Sequence, residues 1–254
     1  MTFDRFKGGK LPPRRRMGVP ALGDFLDRAT SWPVVPPQGW EFAVPKDALN
    51  ILGNDDWGCC AESGYLGLLQ AQSYNAGRPL VPTTAEALAL YSAVTGFDPN
   101  AGPPDENPTD NGTALTDLLA YAQKNGVSVG GRPHKLIGSA SVDISSVAQM
   151  RWAAYTFGGL YLGLNLPAAC ENSVNWNFGS GEKIAGGHCV DLLGEGAVGE
   201  TFRSWGSFIR GTWNFALGYL DEGYVLITED WLNAQQKTPS GLDLDGLLSA
   251  TKLL

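Results

Sequence analysis

The sequence predicts an α+β protein built as two lobes around a cleft. Helical periodicity dominates up to Lys124, whereas the chain after Tyr155 breaks into four short apolar or β-branched runs bounded by glycine or proline. With 254 residues, 43% of them hydrophobic, the chain can bury a substantial core in one large domain or two lobes. A helical lobe followed by a sheet lobe places the functional site in the cleft between them.

Residues 1–48 are rich in proline and glycine with little periodicity, and read as an extended N-terminal arm leading into the fold. Residues 49–130 form the helical lobe. Its first helix follows Cys60, where Ala61, Tyr65, Leu68, Leu69 and Gln72 recur at helical spacing. A second face, Cys60, Gly64, Gly67 and Ala71, carries only small residues. Glycine costs roughly 1 kcal/mol in a helix interior, so another element is expected to approach that face closely. A second helix runs from Thr84 to Thr95, with Thr83 or Thr84 as cap, Glu86 in the first turn and Gly96 as stop. A third runs from Thr113 to Lys124 and ends on Asn-Gly. Residues 131–235 form the sheet lobe: a helix near Ser145–Tyr155, then "GGLYLGLNLP", "GGHCVDLLGEG", "ETFRSWGSF" and "EGYVLITEDWL". Residues 236–254 are a C-terminal tail.

Composition excludes several classes. The net charge of −8 argues against a general nucleic-acid partner. The one basic run, Arg14 to Arg16, follows Pro12 and Pro13 and reads as an exposed tether. No apolar signal region follows the N-terminal charges, and the weakly polar stretch from Trp152 to Ala169 is interrupted well short of a membrane span. A soluble protein, cytoplasmic or attached to a particle, is expected. Cys59, Cys60, Cys170 and Cys189 lack the C-x-x-C spacing of zinc or redox motifs and do not make a disulfide framework. No cofactor or metal is expected.

The adjacent Cys59 and Cys60 stand where a Gly/Asn/Asp-rich loop turns into a helix. A thiol there meets the positive end of the helix dipole and unsatisfied backbone N–H groups, both of which favour a thiolate nucleophile. The same pair also reads as small apolar residues of the core, and this stretch alone leaves both readings open. A thiol nucleophile needs a base, and the chain has only two histidines. His134 follows "GGRP" and reads as a solvated or capping residue. His188 follows Gly186 and Gly187 at the start of an apolar strand.

The blocks "NDDWGCCAE", "AGGHCVDLLG" and "FRSWGSF…GYVLI" resemble the papain-like cysteine peptidases in order and spacing, with 128 residues from Cys60 to His188 against the ~130–150 expected. The resemblance covers residues 50–230 and implies the two-lobe papain-like fold, with a peptide or protein as substrate. It places Cys60 as nucleophile and His188 as general base. It places Asn54, six residues before Cys60, as oxyanion donor, and Trp205 as the shield over the histidine's orienting bond. "DNGTALTD" resembles the family's cleft loop, which assigns Asn111, Gly112 and Thr113, with Gly187 and Trp205, to substrate binding. The helix start and the His188 partner are then expected to lower the Cys60 pKa below the ~8.5 of a free cysteine.

The sequence departs from the pattern at Arg203, which stands where the family places an orienting Asn. Arginine offers no acceptor, and its charge disfavours a nearby imidazolium, so it is expected to weaken the site. Ser204 is the better acceptor, yet strand alternation sets it on the face opposite Trp205. "LGND..G.C" also resembles a divergent papain-like group of actinobacteria and their phages. The rival expectation is therefore a catalytically weakened papain-fold structural or binding protein, such as a phage particle component reached through the N-terminal arm. A metal site from Cys59, Cys60, His188 and Cys189 is remote, because a vicinal pair rarely gives one ion two well-placed ligands.

Overall fold

The computed structural model describes residues 7–14, 19–22, 34–171, 173–177, 179, 181–197, 199–232 and 237–238. Arg15, Arg16 and most of the expected C-terminal tail lie outside these residues.

The described chain holds five α-helices and ten strands, and the three helices of the first half precede all strands of the main sheet except the first. Helix α1 (Cys60–Asn75) is followed by α2 (Thr84–Thr95) and α3 (Leu115–Asn125). Helix α2 starts where its chemistry dictates: the Thr83 side chain accepts from Glu86 N, the Glu86 side chain accepts from Thr83 N, and Gly96 closes the helix at φ 81°. Helix α3 begins at Leu115, two residues later than the periodicity suggests, because Thr113 is held in the extended cleft loop.

Strand β1 (Trp40–Glu41) lies within the expected arm. The hairpin β2 (Val127–Val129) and β3 (Arg132–His134) leads into β4 (Leu136–Ser141), helix α4 (Val147–Phe157) and β5 (Leu160–Pro167). Then come β6 (Asn175–Trp176), β7 (Ile184–Gly196), β8 (Gly199–Ser204), β9 (Ser207–Gly211), helix α5 (Trp213–Tyr219) and β10 (Leu220–Thr228). The main sheet runs β4-β10-β5-β7-β8-β9-β6, with β1 added to the far end of β7, and every pair but β6–β9 is antiparallel.

Alternation along these strands sorts the core onto two faces. Leu160, Leu162, Val190, Leu192, Val225 and Ile227 join α4 and α5 in one cluster; Tyr161, Cys189, Tyr224 and Leu226 join α1 and α3 in the other. Helix α1 is buried along nearly its whole length between the helices and the sheet. Its small-residue face is where the sheet comes closest: a Cβ on Gly64 would press on Cys189 Sγ, and one on Gly67 would collide with the Arg203 guanidinium. No helix of the described residues is long and apolar enough to cross a membrane.

Candidate active site

The loop that leads to Cys60 is tied down before the helix begins. Asn50 Oδ1 accepts from Leu52 N at 3.0 Å, and Leu52 and Gly53 adopt left-handed φ values of 60° and 81°. Asp110 Oδ1 then accepts from Gly58 N at 2.9 Å and from Tyr91 Oη at 2.9 Å. Tyr91 Oη in turn accepts from Gly112 N at 2.8 Å, so one carboxylate and one phenol couple the loop before Cys60 to the loop of residues 111–113. The two cysteines part company here. Cys59 packs with Tyr91 and Phe97, whereas Cys60 joins the cluster between α1 and the sheet. Their side chains enter separate clusters and do not converge on a single ion.

Strand β7 carries His188. Its ring stacks on Trp205 with centroids 4.2 Å apart and planes 16° apart. Its Nε2 lies 2.6 Å from Ser204 Oγ, and its Nδ1 has no hydrogen-bond partner. Ser204 and Trp205 therefore both flank the ring, contrary to the expectation from alternation. The reason is that β8 ends at Ser204, and Trp205 turns out of the strand at φ 46°, followed by Gly206 at φ 64°.

Alternation does operate one residue earlier. Arg203 points away from His188 onto α1, where its Nη2 donates to Gln70 Oε1 at 3.0 Å and Nη1 lies 3.8 Å from Asp191 Oδ2. The expectation that Arg203 confronts the imidazole is thus corrected: its charge is opposed by Asp191 behind the site. Burial pushes the Asp191 carboxyl well up, against the pull of Arg203, and lowers Arg203.

Asn54, Cys60, Ser204 and Trp205 line one small cavity of about 20 Å³, room for a single water molecule. Asn54 is 2% exposed, and its amide nitrogen donates to Trp57 O and to Lys7 O, both at 3.0 Å. The second acceptor is a carbonyl of the N-terminal arm. Residues Lys7–Leu11 run through the cleft: Thr113 N donates to Gly9 O at 2.7 Å, Leu11 N donates to Thr113 O at 3.0 Å, and Lys10 N donates to Gly187 O at 3.4 Å. A Cβ on Gly9 would collide with Gly58, and one on Gly112 with Gly9, so the glycine pair is what lets the arm lie this deep. Two lysines clamp it. Lys7 Nζ lies 3.0 Å from Asp110 and 3.2 Å from Asp105, and Lys10 Nζ lies 2.7 Å from Asp221 and 3.3 Å from Glu222. Arg14 pairs with Asp117 at 3.0 Å on the exposed rim, so the start of the basic run is engaged with the surface.

Of the residues assigned to substrate binding, Thr113 and Gly187 bond the arm directly; Gly112 and Asn111 line the same cleft of about 560 Å³. Trp205 stands behind the histidine and not in the cleft wall.

The arm changes the electrostatics. Cys60 is 1% exposed and His188 fully buried. Burial, with a contribution from Glu62, pushes the Cys60 thiol up to about 12, although backbone hydrogen bonds from Gly9 and Cys189 pull the other way. Burial alone pushes His188 down to about 3. The expected depression of the Cys60 pKa is therefore reversed in this state: the pair rests as thiol and neutral imidazole. Desolvation outweighs the helix-start effect and also the arm's own contributions, the Gly9 hydrogen bond and the Lys10 charge, both of which favour the thiolate.

Glu62, which sequence reasoning missed, is fully buried in the first turn of α1, where it accepts from Thr113 Oγ1 at 2.7 Å. Burial raises it to about 7. Its position two residues after Cys60 was the available signal. Similarly, "KGGK", Lys7 to Lys10, was a visible oddity in an acidic chain. His134 is also corrected: its Nδ1 lies 3.0 Å from both oxygens of Asp230 and its Nε2 3.3 Å from Val129 O, so it is a clamped residue and not a solvated one.

No family model and no curated protein matches the sequence. Solved structures with a similar fold include cysteine proteases. Xylellain from Xylella fastidiosa superposes with TM-score 0.65 at 14% identity, covering 87% of this chain and 97% of that one. The Carica candamarcensis protease CMS1MS2, in complex with E-64, gives 0.53 at 15% over 75% and 98%. Procathepsin B S9 of Trypanosoma congolense gives 0.54 at 11% over 88% and 87%. The fold of this chain is papain-like.

Proposed function

We propose that this papain-like fold houses a thiol hydrolase of peptide or related amide bonds, held closed by its own N-terminal arm. The observation that carries the reading is the His188 ring, fixed on Trp205 with Nε2 on Ser204 and Nδ1 unpartnered, on the strand whose next residue, Cys189, gives a backbone hydrogen bond to Cys60 at the helix start. Nε2–H donating to Ser204 Oγ selects the tautomer whose Nδ1 accepts a proton.

In the proposed reaction the Cys60 thiol gives its proton to His188 Nδ1 as the sulfur attacks the carbonyl carbon. The oxyanion is held by the Asn54 amide and the helix-start N–H of Cys60. His188 returns the proton to the leaving amine, leaving a thioester. Water, deprotonated by the same nitrogen, then attacks the thioester and releases the acid and the free thiol. Asn54 supports its part by already donating to a carbonyl, that of Lys7. The arm must leave the cleft before substrate enters.

The test is acyl-enzyme formation from an activated peptide ester, read by mass on the intact chain, with Cys60→Ser as control. A stable acyl adduct on Cys60 supports the hydrolase. A second reading, a papain-fold binding or structural protein such as a particle component, is favoured by the complete burial of Cys60 and His188. It predicts no adduct on Cys60 even when the arm contacts are weakened by substitution.

A further inference from the structure

We propose that the pocket filled by Lys10 sets substrate choice at this site, accepting a lysine or arginine side chain of the substrate once the arm withdraws. This inference rests on the hydrolase reading. The Lys10 side chain is 1% exposed, yet its backbone borders the open cleft together with Gly187 and Leu166. Its pocket is built for a cation on a thin stem. Strand β5 leaves the stem room at Gly163, where a Cβ would collide with Lys10 Cε.

At the end of the pocket two successive residues of β10 converge on Nζ, Asp221 at 2.7 Å and Glu222 at 3.3 Å. Neighbouring strand residues ordinarily face opposite sides. Here the pairing of β10 with β5 slips between Leu220 and Glu222, and that irregularity turns both carboxylates towards the pocket. Tyr224 Oη donates to Glu222 Oε2 at 2.8 Å and fixes its orientation.

When Lys10 leaves, two adjacent carboxylates remain in a largely desolvated site. A neutral side chain there would keep them from water and give them no partner, whereas a lysine or arginine restores the pair. The acidic wall continues along the cleft at Asp110 and Asp105, which hold Lys7. Discrimination by a buried charge partner exceeds what shape alone provides, so a preference of at least about tenfold is expected.

The test uses the full chain carrying Lys10→Ala, or Lys10→Met where the alanine variant does not fold. Pairs of activated peptide esters are identical except for lysine or norleucine at the first, second or third residue from the reacting carbonyl. At one of these positions the lysine ester should acylate Cys60 at least about tenfold faster, and adding Asp221→Asn with Glu222→Gln should reduce the ratio below about twofold. Acylation with no such lysine preference, or a preference that survives loss of both carboxylates, overturns the pocket assignment and leaves the hydrolase standing.

If no ester acylates Cys60, the hydrolase reading fails, and binding alone decides the pocket. n-Butylammonium should then raise the Tm of the Lys10 variant above the effect of equimolar n-butanol, and this difference should vanish without the two carboxylates. Equal responses to the amine and the alcohol overturn the assignment.

Discussion

The two histidines of this chain sit in strands of the same half of the molecule, and their surroundings push their pKa values in opposite directions. His134 faces both oxygens of Asp230, and that hydrogen bond raises its pKa despite partial burial. His188 faces a hydroxyl and an indole, with no carboxylate, and burial pushes it down to about 3. A carboxylate favours the protonated ring and makes the histidine a structural clamp. A neutral acceptor fixes the ring equally well and leaves the imidazole free to take a proton. Among the described residues the carboxylate nearest to His188 along β7 is Asp191, which alternation directs to the other face, where it faces Arg203.

The sharpest way to break this contrast is to delete each ring. In a chain whose arm is loosened, His188→Ala should lower acyl transfer to Cys60 by about 10⁴-fold, while His134→Ala leaves it unchanged, since general acid–base catalysis supplies roughly 10² to 10⁴. Single-turnover acylation reads both, and equal losses would show that position in the fold, not the partner, distinguishes them.

Next in size is the buried pair behind the site. Arg203→Met should destabilise the protein by about 3–5 kcal/mol, because Asp191 is left buried without its cation. Denaturant unfolding checks it, and adding Asp191→Leu should recover part of the loss. Arg203→Asn should not accelerate acylation, since the guanidinium lies on α1 and not on His188.

Ser204→Ala should lower acylation by up to about 10²-fold through loss of ring orientation, with Ser204→Asn restoring part of it. The pH profile should shift with it, which a purely structural effect would not produce.

The smallest effect belongs to His134. Its folded pKa is raised, so its stabilising share is fully present below the unfolded value of about 6.5 and lost as pH rises through the folded one; for one ion pair this is at most about 1 kcal/mol. Glu62 and Glu200, each raised to about 7 by burial, act in the same direction, since each costs stability as pH rises from the unfolded carboxylate value towards 7. The share of His134 is therefore the difference between wild type and His134→Gln in urea unfolding from pH 5 to 9.

What could be read from the sequence was local. Thr83, Glu86 and Gly96 mark α2 through contacts within one turn, and Gly64 and Gly67 announced the close approach that Cys189 and Arg203 make. The identity of the histidine's partner turned on one backbone angle, φ 46° at Trp205, which strand alternation alone does not convey. The arm was least legible. Lys7 meets Asp110 across 103 positions and Lys10 meets Asp221 across 211, and no local pattern in "KGGK" encodes such partners. The expected state of Cys60 was reversed by its burial, which no local pattern around the cysteine pair conveys.

The account stands on the arm's control of Cys60, and the rate of Cys60 alkylation by iodoacetamide at pH 7, mapped by peptide mass, tests it most directly. In the full chain Cys60 should react at least about 10²-fold more slowly than the same cysteine in the unfolded chain, because its thiol is held near 12 against the usual ~8.5. Lys7→Ala with Lys10→Ala, which releases the arm, should raise the rate by at least about 10²-fold, and His188→Ala should remove most of that gain. Rapid alkylation of Cys60 in the full chain, or a rate indifferent to both lysines, would contradict the account.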